Sequence, residues 1–337
     1  MLSKVYFVKI DEIEKIKELL PEFEMPLGVK VHFGEQGNTT FVPAKYIKQI
    51  TDFLDNPVFI ESSVLYKSPR RTAIGHKELA REHGFDWLPI DIMDGEVGDD
   101  CFEVNIEGQP SGAEALAGKH FQKCYLAKNL EKYKSLLVIS HFKGHRGAGF
   151  GGALKNISMG LACRRGKLVM HSMIKHHIKK EKCISCGVCI ASCPVNAIAF
   201  DADKKAFINE EICISCSKCI SVCPVEAARI PWGGAGKKEL GERIAEYAFA
   251  GQKGRQCFYI NFLINITDCC DCVDKQMEKM IEDIGILVSN DPVAIDQASY
   301  DLALKQSHDI ESLNNDAQLQ HAEKLGFGSR KYELINL

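Results

Sequence analysis

Eight cysteines in the middle of the chain stand in two runs with identical spacing. Each run reads C-x-x-C-x-x-C-x-x-x-C-P, and the second begins 30 residues after the first. In such a run three thiolates two residues apart reach three corners of one iron–sulfur cube, and the fourth cysteine ligates the cluster of the other run. The spacing therefore predicts two [4Fe–4S] clusters with crossed ligands. The first is expected on Cys183, Cys186, Cys189 and Cys223, and the second on Cys213, Cys216, Cys219 and Cys193.

The flanks of the two runs repeat as well, because Ile184-Ser185 and Ile214-Ser215 occupy the same place in each. Such repetition is typical of a ferredoxin-like α+β module with two related halves. A structural zinc site needs four ligands, not two interleaved sets of four. A disulfide framework belongs to a secreted chain, and the amino terminus has too short an apolar stretch for a signal peptide. We therefore expect reduced thiols and a two-cluster module over residues 178–232.

A second group of reactive side chains follows a continuous apolar run at residues 135–140. The next segment is rich in glycine and leads into a predicted helix, so its backbone N–H groups are available to a ligand. Its positive charge favours a small anionic substrate, although a purely structural turn is an equally open alternative. Each histidine of the segment could bind a metal, act as an acid or base, or satisfy a buried carbonyl. The catalytic candidates are His141, Lys143 and His145, with Arg146 and Lys155 as further cations.

A third group is the sequence Asp268-Cys269-Cys270-Asp271-Cys272. Its thiols and carboxylates could bind a further metal or form a redox-active thiol pair, or the thiols could simply be free. Cys270 and Cys272 are the candidate metal ligands. Further along, Asp291 is predicted to cap a helix, and Asp296, one turn later, could face the same pocket.

The composition is that of an ordinary globular protein. The chain has 337 residues, of which 45% are hydrophobic and 26% charged, and its net charge of −3 argues against nucleic acid or membrane partners. No apolar run approaches the roughly 20 residues that span a bilayer. With reduced thiols and iron–sulfur clusters, the expected location is the cytoplasm of an anaerobe or of a cell shielded from oxygen. The sequence does not determine the oligomeric state.

The elements that must position these groups alternate between strands and helices. We predict strands at 4–10, 29–33, 58–62, 135–140, 257–264 and 284–289, and helices at 11–20, 43–54, 72–83, 153–163, 237–249 and from 290 onward. Alternation of this kind favours an α/β fold, a mostly parallel sheet with helices on both faces. The cysteine module interrupts it, so the expected domains are 1–177 and 233–337 as two parts of one α/β domain, with 178–232 inserted.

Several separated motifs resemble those of an uncharacterised iron–sulfur family, the domain of unknown function 362 family. The similar stretches are Lys30–Glu35, 141–156, Met159-Gly160, Cys270-Asp271-Cys272 and Asp291–Asp296. The resemblance implies a cytoplasmic iron–sulfur protein of anaerobes with no firmly assigned reaction. The extra thiol of Cys269 has no counterpart in the family pattern.

The leading functional interpretation is a ferredoxin-coupled oxidoreductase of unknown substrate. Its clusters would pass single electrons from a soluble redox partner to a pocket in the α/β domain. One alternative is a non-catalytic electron carrier or assembly factor that docks a partner. Another is a metal-binding protein with a third Cys/His site. Whether a flavin takes part is left open by the sequence.

Overall fold

The computed structural model describes residues 2–106, 118–171, 177–213, 218–229, 236–314 and 316–337. The strands are β1 (Ser3–Val8), β2 (Leu27–Lys30), β3 (Val58–Glu61), β4 (Ile90–Ile92), β5 (Cys101–Asn105), β6 (Lys123–Ala127), β7 (Ser135–His141), β8 (Lys143–His145), β9 (Gly149–Gly151), β10 (His177–Ile178), β11 (Ile198–Phe200), β12 (Ala206–Ile208), β13 (Ala228–Arg229), β14 (Gln256–Leu263), β15 (Gly285–Ser289) and β16 (Tyr332–Asn336). The α-helices are α1 (Ala44–Thr51), α2 (Ala73–Glu82), α3 (Ala153–Met159), α4 (Arg164–His171), α5 (Val188–Ala191), α6 (Lys218–Val222), α7 (Lys237–Gln252), α8 (Pro292–Gln306) and α9 (Asp316–Lys324).

A mixed eight-stranded sheet in the order β16-β1-β15-β14-β7-β2-β3-β4 forms the centre of the fold. Only β15 runs antiparallel to its neighbours β1 and β14, and the other pairs in this sheet are parallel. The predicted α/β class with a mostly parallel sheet is confirmed. The parallel strands β14, β7, β2, β3 and β4 end at one common edge.

Alternate residues of β7 enter two different hydrophobic clusters. Leu136 and Val138 pack with α3, α7 and α8, whereas Leu137 and Ile139 pack with α1 and the 3₁₀ helix Ile10–Glu18. Because strand side chains point alternately to opposite faces, this division means that the sheet is covered on both sides. Each fully buried aliphatic side chain contributes roughly 1.5–3 kcal/mol of transfer free energy. The prediction of helices on both faces is confirmed.

Two local predictions are wrong. The segment predicted to be an α-helix over residues 11–20 is the 3₁₀ helix Ile10–Glu18, whose N-cap is Lys9 without a side-chain hydrogen bond. The helix predicted over residues 153–163 ends at Met159. Gly160 follows as the C-cap, and a Cβ there would lie 2.0 Å from Cε of Lys30, so the absence of a side chain lets that lysine pass beside the end of the helix.

The cysteine-rich segment forms small elements of its own. β10 pairs with β13 and β11 pairs with β12, both antiparallel, and the short helices α5 and α6 each contain the third cysteine of a run, Cys189 and Cys219. Its apolar residues form one cluster that also includes Leu65 and Leu168 of the α/β part. The side chain of Lys218 pairs with Asp99 at 2.9 Å across the same boundary. The domain limits predicted from the sequence remain predictions, and part of the range 178–232 lies outside the described residues.

The expectation that all cysteines outside the two runs are reduced thiols is wrong for one pair. Cys101, the first residue of β5, and Cys163, just before α4, form a disulfide across 62 positions of sequence. The two residues come from separate elements, so no local spacing could have indicated the bond. Among the described helices none is long and apolar enough to cross a membrane.

Candidate functional site

A cavity of about 200 Å³ opens at the carboxyl edge of the parallel strands. Lys30, Glu61 and His141 are the last residues of β2, β3 and β7, and all three line it. Helix α3 adds Lys155 and Asn156, and the loop after β14 adds Cys270 and Cys272. Ligands of open α/β sheets bind at this edge, because the loops that follow the strands converge there. We call this cavity the sheet-edge pocket.

The wall of the sheet-edge pocket is rich in cations. Among its described lining residues Glu61 is the only carboxylate, and it is buried against Lys30 at 3.2 Å. The charge balance of the lining suits an anion, in keeping with the sequence prediction. The lining cations are Lys30, Arg70, Lys143, Lys155 and Lys167.

Burial lowers the pKa of two of these lysines. The pKa of Lys30 and that of Lys167 each fall to about 8. Lys30 donates to the side chain of Asn156 at 2.6 Å, and Lys167 donates to Oγ of Ser62 at 2.7 Å and to the Ser63 carbonyl at 2.6 Å. Both ammonium groups are therefore held in place, and both are still mostly charged at neutral pH.

Arg70 occupies the opposite wall and is 2% exposed. Its Nε donates to Nε2 of His76 at 3.0 Å, and its Nη1 lies 3.0 Å from Nε2 of His32. Glu61 approaches a second guanidinium nitrogen at 3.5 Å. Sequence reasoning missed Arg70 and, on helix α4, Lys167 and His171, because these residues belong to no motif. Lys30 and His32 fell within a family-like stretch, but no role followed from it.

His141 is hydrogen-bonded at both ring nitrogens. Nδ1 lies 2.8 Å from Oδ2 of Asp271, and Nε2 lies 2.7 Å from the carbonyl of Ile264. Lys143 donates to the His141 carbonyl at 2.9 Å and pairs with Asp271 at 3.2 Å. Although burial opposes it, His141 and Lys143 hold the pKa of Asp271 well below its usual range. In this arrangement His141 and Lys143 fix the loop that carries the thiols, and their catalytic role stays a prediction.

His145 lines the sheet-edge pocket with a neutral ring. Its Nδ1 accepts from the N–H of Ala148 at 2.9 Å, so the ring proton is on Nε2. Burial, together with Lys155, His171 and Lys143, lowers its pKa well below the usual range. The ring can donate a hydrogen bond to an anion but does not itself add positive charge near neutral pH.

Cys270 and Cys272 lie together in the wall of the sheet-edge pocket. Nζ of Lys155 is 3.7 Å from Sγ of Cys270, and Cys272 lines the same cavity two residues further along. Interaction with Cys272, together with Lys155 and Lys143, lowers the pKa of Cys270 well below its ordinary value, although burial opposes the shift. Interaction with Cys270 and burial raise the pKa of Cys272. Cys270 is therefore the more acidic thiol of the pair.

The amino terminus of α3 is occupied by a carboxylate of the chain itself. Asp296 accepts from the N–H groups of Ala153 at 2.7 Å and Leu154 at 3.0 Å, and from the Asn261 side chain at 2.8 Å. The glycine-rich segment thus gives these two N–H groups to an internal anion and not to a ligand. The expectation that Asp296 faces the pocket is wrong, since it is fully buried beneath Gly152. The predicted helix cap is confirmed, because Asp291 accepts from Val293 and Ala294.

A second, smaller cavity lies in the cysteine-rich segment. It is lined by the thiols of Cys183, Cys186, Cys189 and Cys223, the set predicted for the first cluster. Burial and the neighbouring thiols raise the pKa of Cys189. Of the second set, Cys216 lies outside the described residues, and Cys193, Cys213 and Cys219 do not line this cavity.

The two halves of the cysteine-rich segment have matching local geometry 30 residues apart. The N–H of Ala197 donates to Sγ of Cys193 at 3.2 Å, and the N–H of Ala227 donates to Sγ of Cys223 at 3.2 Å. The residues before these alanines share a left-handed backbone, with φ of 52° at Asn196 and 53° at Glu226. Backbone donors aimed at sulfur are a means by which proteins tune thiolate ligands.

Across the described chain, no group of three or more His, Cys, Asp or Glu side chains is arranged around a single metal ion.

Fold and site together define an α/β protein with a cation-lined pocket at the carboxyl edge of its sheet and a cysteine-rich segment beside it. Residues 27–301 match the family described as Domain of unknown function (DUF362), and the chain belongs to that family.

Two solved structures are similar to the chain. One is the lactate racemase apoprotein from Thermoanaerobacterium thermosaccharolyticum, at 13% identity and a TM-score of 0.36, over 78% of this chain and 51% of that one. The other is a structural-genomics protein from Thermotoga maritima, at 11% identity and a TM-score of 0.39, over 94% of this chain and 58% of that one. The chain thus spans little more than half the length of either structure. No curated protein matches it.

Proposed function

We propose that this protein is an iron–sulfur redox enzyme that transfers electrons to a small anionic substrate in the sheet-edge pocket. A soluble redox partner in the cytoplasm is the proposed electron source. The observation that carries the proposal is the lining of the smaller cavity. Three of its thiols come from the first cysteine run and the fourth, Cys223, comes from the second run.

The residues around this cavity suit an iron–sulfur cluster. Its donor set is four soft thiols, and its other lining residues, such as Ile178, Ile184 and Val225, are largely apolar. The first cluster would be held by the four cavity thiols, and the second by Cys193, Cys213, Cys216 and Cys219. When bound, a [4Fe–4S] cluster supplies one-electron transfer.

The cysteine-rich segment and the sheet-edge pocket are neighbours in space. Leu65 lines the pocket and also belongs to the apolar cluster that contains Cys189 and Cys219. Helix α4 has the same double role, because Lys167 and His171 line the pocket while Leu168 packs in that cluster. The proximity supports electron delivery to a bound molecule.

The sheet-edge pocket supports the interpretation of the protein as an enzyme more than its interpretation as a simple electron carrier. A protein that only carries electrons has no need of an enclosed cavity lined by cations with perturbed proton affinities, which are typical of reaction sites. The same cations disfavour the third interpretation, a metal ion at Cys270 and Cys272, because they would repel it.

The test is metal and sulfide analysis of the full chain purified without oxygen. We expect about eight iron and eight sulfide per chain and a paramagnetic signal after dithionite reduction. Cys223→Ser and Cys193→Ser should each lose part of the iron, whereas Cys257→Ser, a thiol of β14 outside both runs, should keep it. A colourless wild-type protein without iron would refute the proposal.

A further inference from the structure

We propose that Cys270 and Cys272 form a dithiol–disulfide couple that reduces small anionic disulfides in the sheet-edge pocket. The inference rests on the proposed function for its source of electrons. The thiol chemistry, however, is supported by contacts of its own.

The two sulfurs are brought together by a tight turn. The N–H of Val273 donates to the carbonyl of Cys270 at 3.1 Å, and this turn lets the side chains of residues 270 and 272 point into one cavity. Two cysteines two residues apart in a tight turn lie within the separation that a disulfide can bridge, and here both side chains line one cavity.

Lys155 distinguishes the two sulfurs. Its Nζ lies 3.7 Å from Sγ of Cys270, and its side chain projects from α3 into the same pocket. A cation beside a sulfur favours the thiolate, which is the nucleophilic form. Cys270 is therefore the attacking residue, and Cys272 is the thiol that resolves the mixed disulfide.

The surroundings suit this chemistry better than metal binding. Asp271, the carboxylate between the two cysteines, is turned away from the pocket and contacts His141, Lys143 and Thr40. Two cations of the same pocket, Lys155 and Lys143, act on Cys270, and such cations attract an anionic molecule and repel a metal ion.

The reaction balances in atoms and electrons. The Cys270 thiolate attacks one sulfur of a substrate R–S–S–R, so that a Cys270–S–S–R bond forms and RS⁻ leaves. The Cys272 sulfur then attacks Sγ of Cys270, and the second fragment departs with the Cys272 proton as RSH. The resulting Cys270–Cys272 disulfide returns to one thiolate and one thiol on uptake of two electrons and one proton. One-electron donors of the iron–sulfur class supply the electrons in two transfers.

The test uses the full chain, purified anaerobically and reduced with dithiothreitol, and two disulfides of similar size. Dithiodiglycolate is a dianion, and cystamine is a dication. After an acid quench and alkylation, mass spectrometry of the peptide spanning residues 256–275 reports the Cys270–Cys272 disulfide. We expect it to form at least about tenfold faster with dithiodiglycolate than with cystamine, because the pocket is cationic.

Variants separate the roles of the residues. Cys272→Ser should trap a stable adduct on Cys270, and Cys270→Ser should give neither adduct nor disulfide. Lys155→Met should slow the reaction with dithiodiglycolate about tenfold, through loss of the cation beside the thiolate. Cys269→Ser, the adjacent buried thiol, is the matched control and should react like the wild type.

The outcomes that would overturn the inference are distinct from failure of the proposed function. No disulfide, equal rates with the two reagents, or one metal ion per chain lost in a Cys270→Ser, Cys272→Ser double variant would each refute it. Iron is measured in the same samples. If iron is absent and the thiol pair still cycles with anionic disulfides, the proposed function fails while the thiol couple stands.

Discussion

The carboxylate of Asp296 takes the position that a bound anion would occupy at the start of α3. Two backbone N–H groups and the Asn261 amide donate to it, yet its surroundings are dry enough that burial raises its pKa from 3.8 to about 6. Desolvation thus raises the pKa of Asp296 by more than the three hydrogen bonds lower it. The glycine-rich segment consequently serves the internal framework as well as the pocket.

This proton affinity predicts a pH-dependent contribution to stability. The folded pKa of Asp296 lies above the unfolded value, so its contribution is complete below pH 3.8 and is lost as pH rises through about 6. Asp296→Asn has no such titration. Between pH 3.8 and about 6 we expect the free energy of unfolding of the wild type to fall by roughly 3 kcal/mol relative to that of the variant, since each pKa unit corresponds to about 1.4 kcal/mol. Urea unfolding at several pH values measures the difference, and a difference independent of pH would contradict the argument.

Side chains that do chemistry were predicted from sequence only where they share a short motif. His141, Lys143, His145, Cys270 and Cys272 were chosen from their local spacing, and the structure brings all five to one cavity. Arg70 and Lys167 reach the same cavity from distant elements and are surrounded by no recognisable pattern. Their place depends on the tertiary fold, which local spacing does not encode.

At the scale of elements, α3 is positioned by the absence of a side chain at Gly152. A Cβ at this N-cap residue would lie 2.2 Å from Oδ1 of Asp296, closer than any real contact. The glycine therefore allows the carboxylate of α8 to reach the first turn of α3. The approach of these two helices in turn sets where Lys155 enters the sheet-edge pocket.

The contact between Gly152 and Asp296 can be tested with two matched glycine substitutions. Gly152→Ala should lower the free energy of unfolding by about 1–3 kcal/mol, because neither the buried carboxylate nor the backbone can move away freely. Gly236→Ala, at the N-cap of α7, meets no atom of the described residues within 4 Å and should change the free energy of unfolding by less than about 1 kcal/mol. Thermal or urea unfolding compares the two. Equal losses would show that the contact with Asp296 is not the cause.

Elements with a strong local signal were predicted well, and those set by tertiary contacts were not. The all-apolar run of β7 and the Asp291-Pro292 start of α8 carry their own signals, buried-strand hydrophobicity and a capping carboxylate before proline. The close approach of Lys30 to Gly160 at the end of α3 is instead a tertiary contact that local spacing does not show. The Cys101–Cys163 disulfide likewise joins residues that are distant in sequence.

At the scale of the whole molecule, the cysteine-rich segment is attached to the α/β part through a small apolar contact. Leu65 and Leu168 enter its hydrophobic cluster, and Arg71 donates to the carbonyl of Ile220. Leu168 is 2% exposed, whereas the lysine before it faces the sheet-edge pocket. One turn of α4 therefore connects the proposed electron donor site to the proposed acceptor site.

Truncation of this contact should loosen the cysteine-rich segment more than the sheet. Leu168→Ala removes a buried side chain and should lower the free energy of unfolding by about 2–5 kcal/mol. The control Ile74→Ala, at a residue that is 63% exposed, should lower it by less than about 0.5 kcal/mol. Hydrogen exchange locates the effect. We expect faster exchange at Lys179, whose N–H donates to the Ala227 carbonyl, with little change in β14. Equally faster hydrogen exchange in both regions would mean that the cysteine-rich segment does not loosen independently. It would also contradict the inference that α4 specifically connects the two sites.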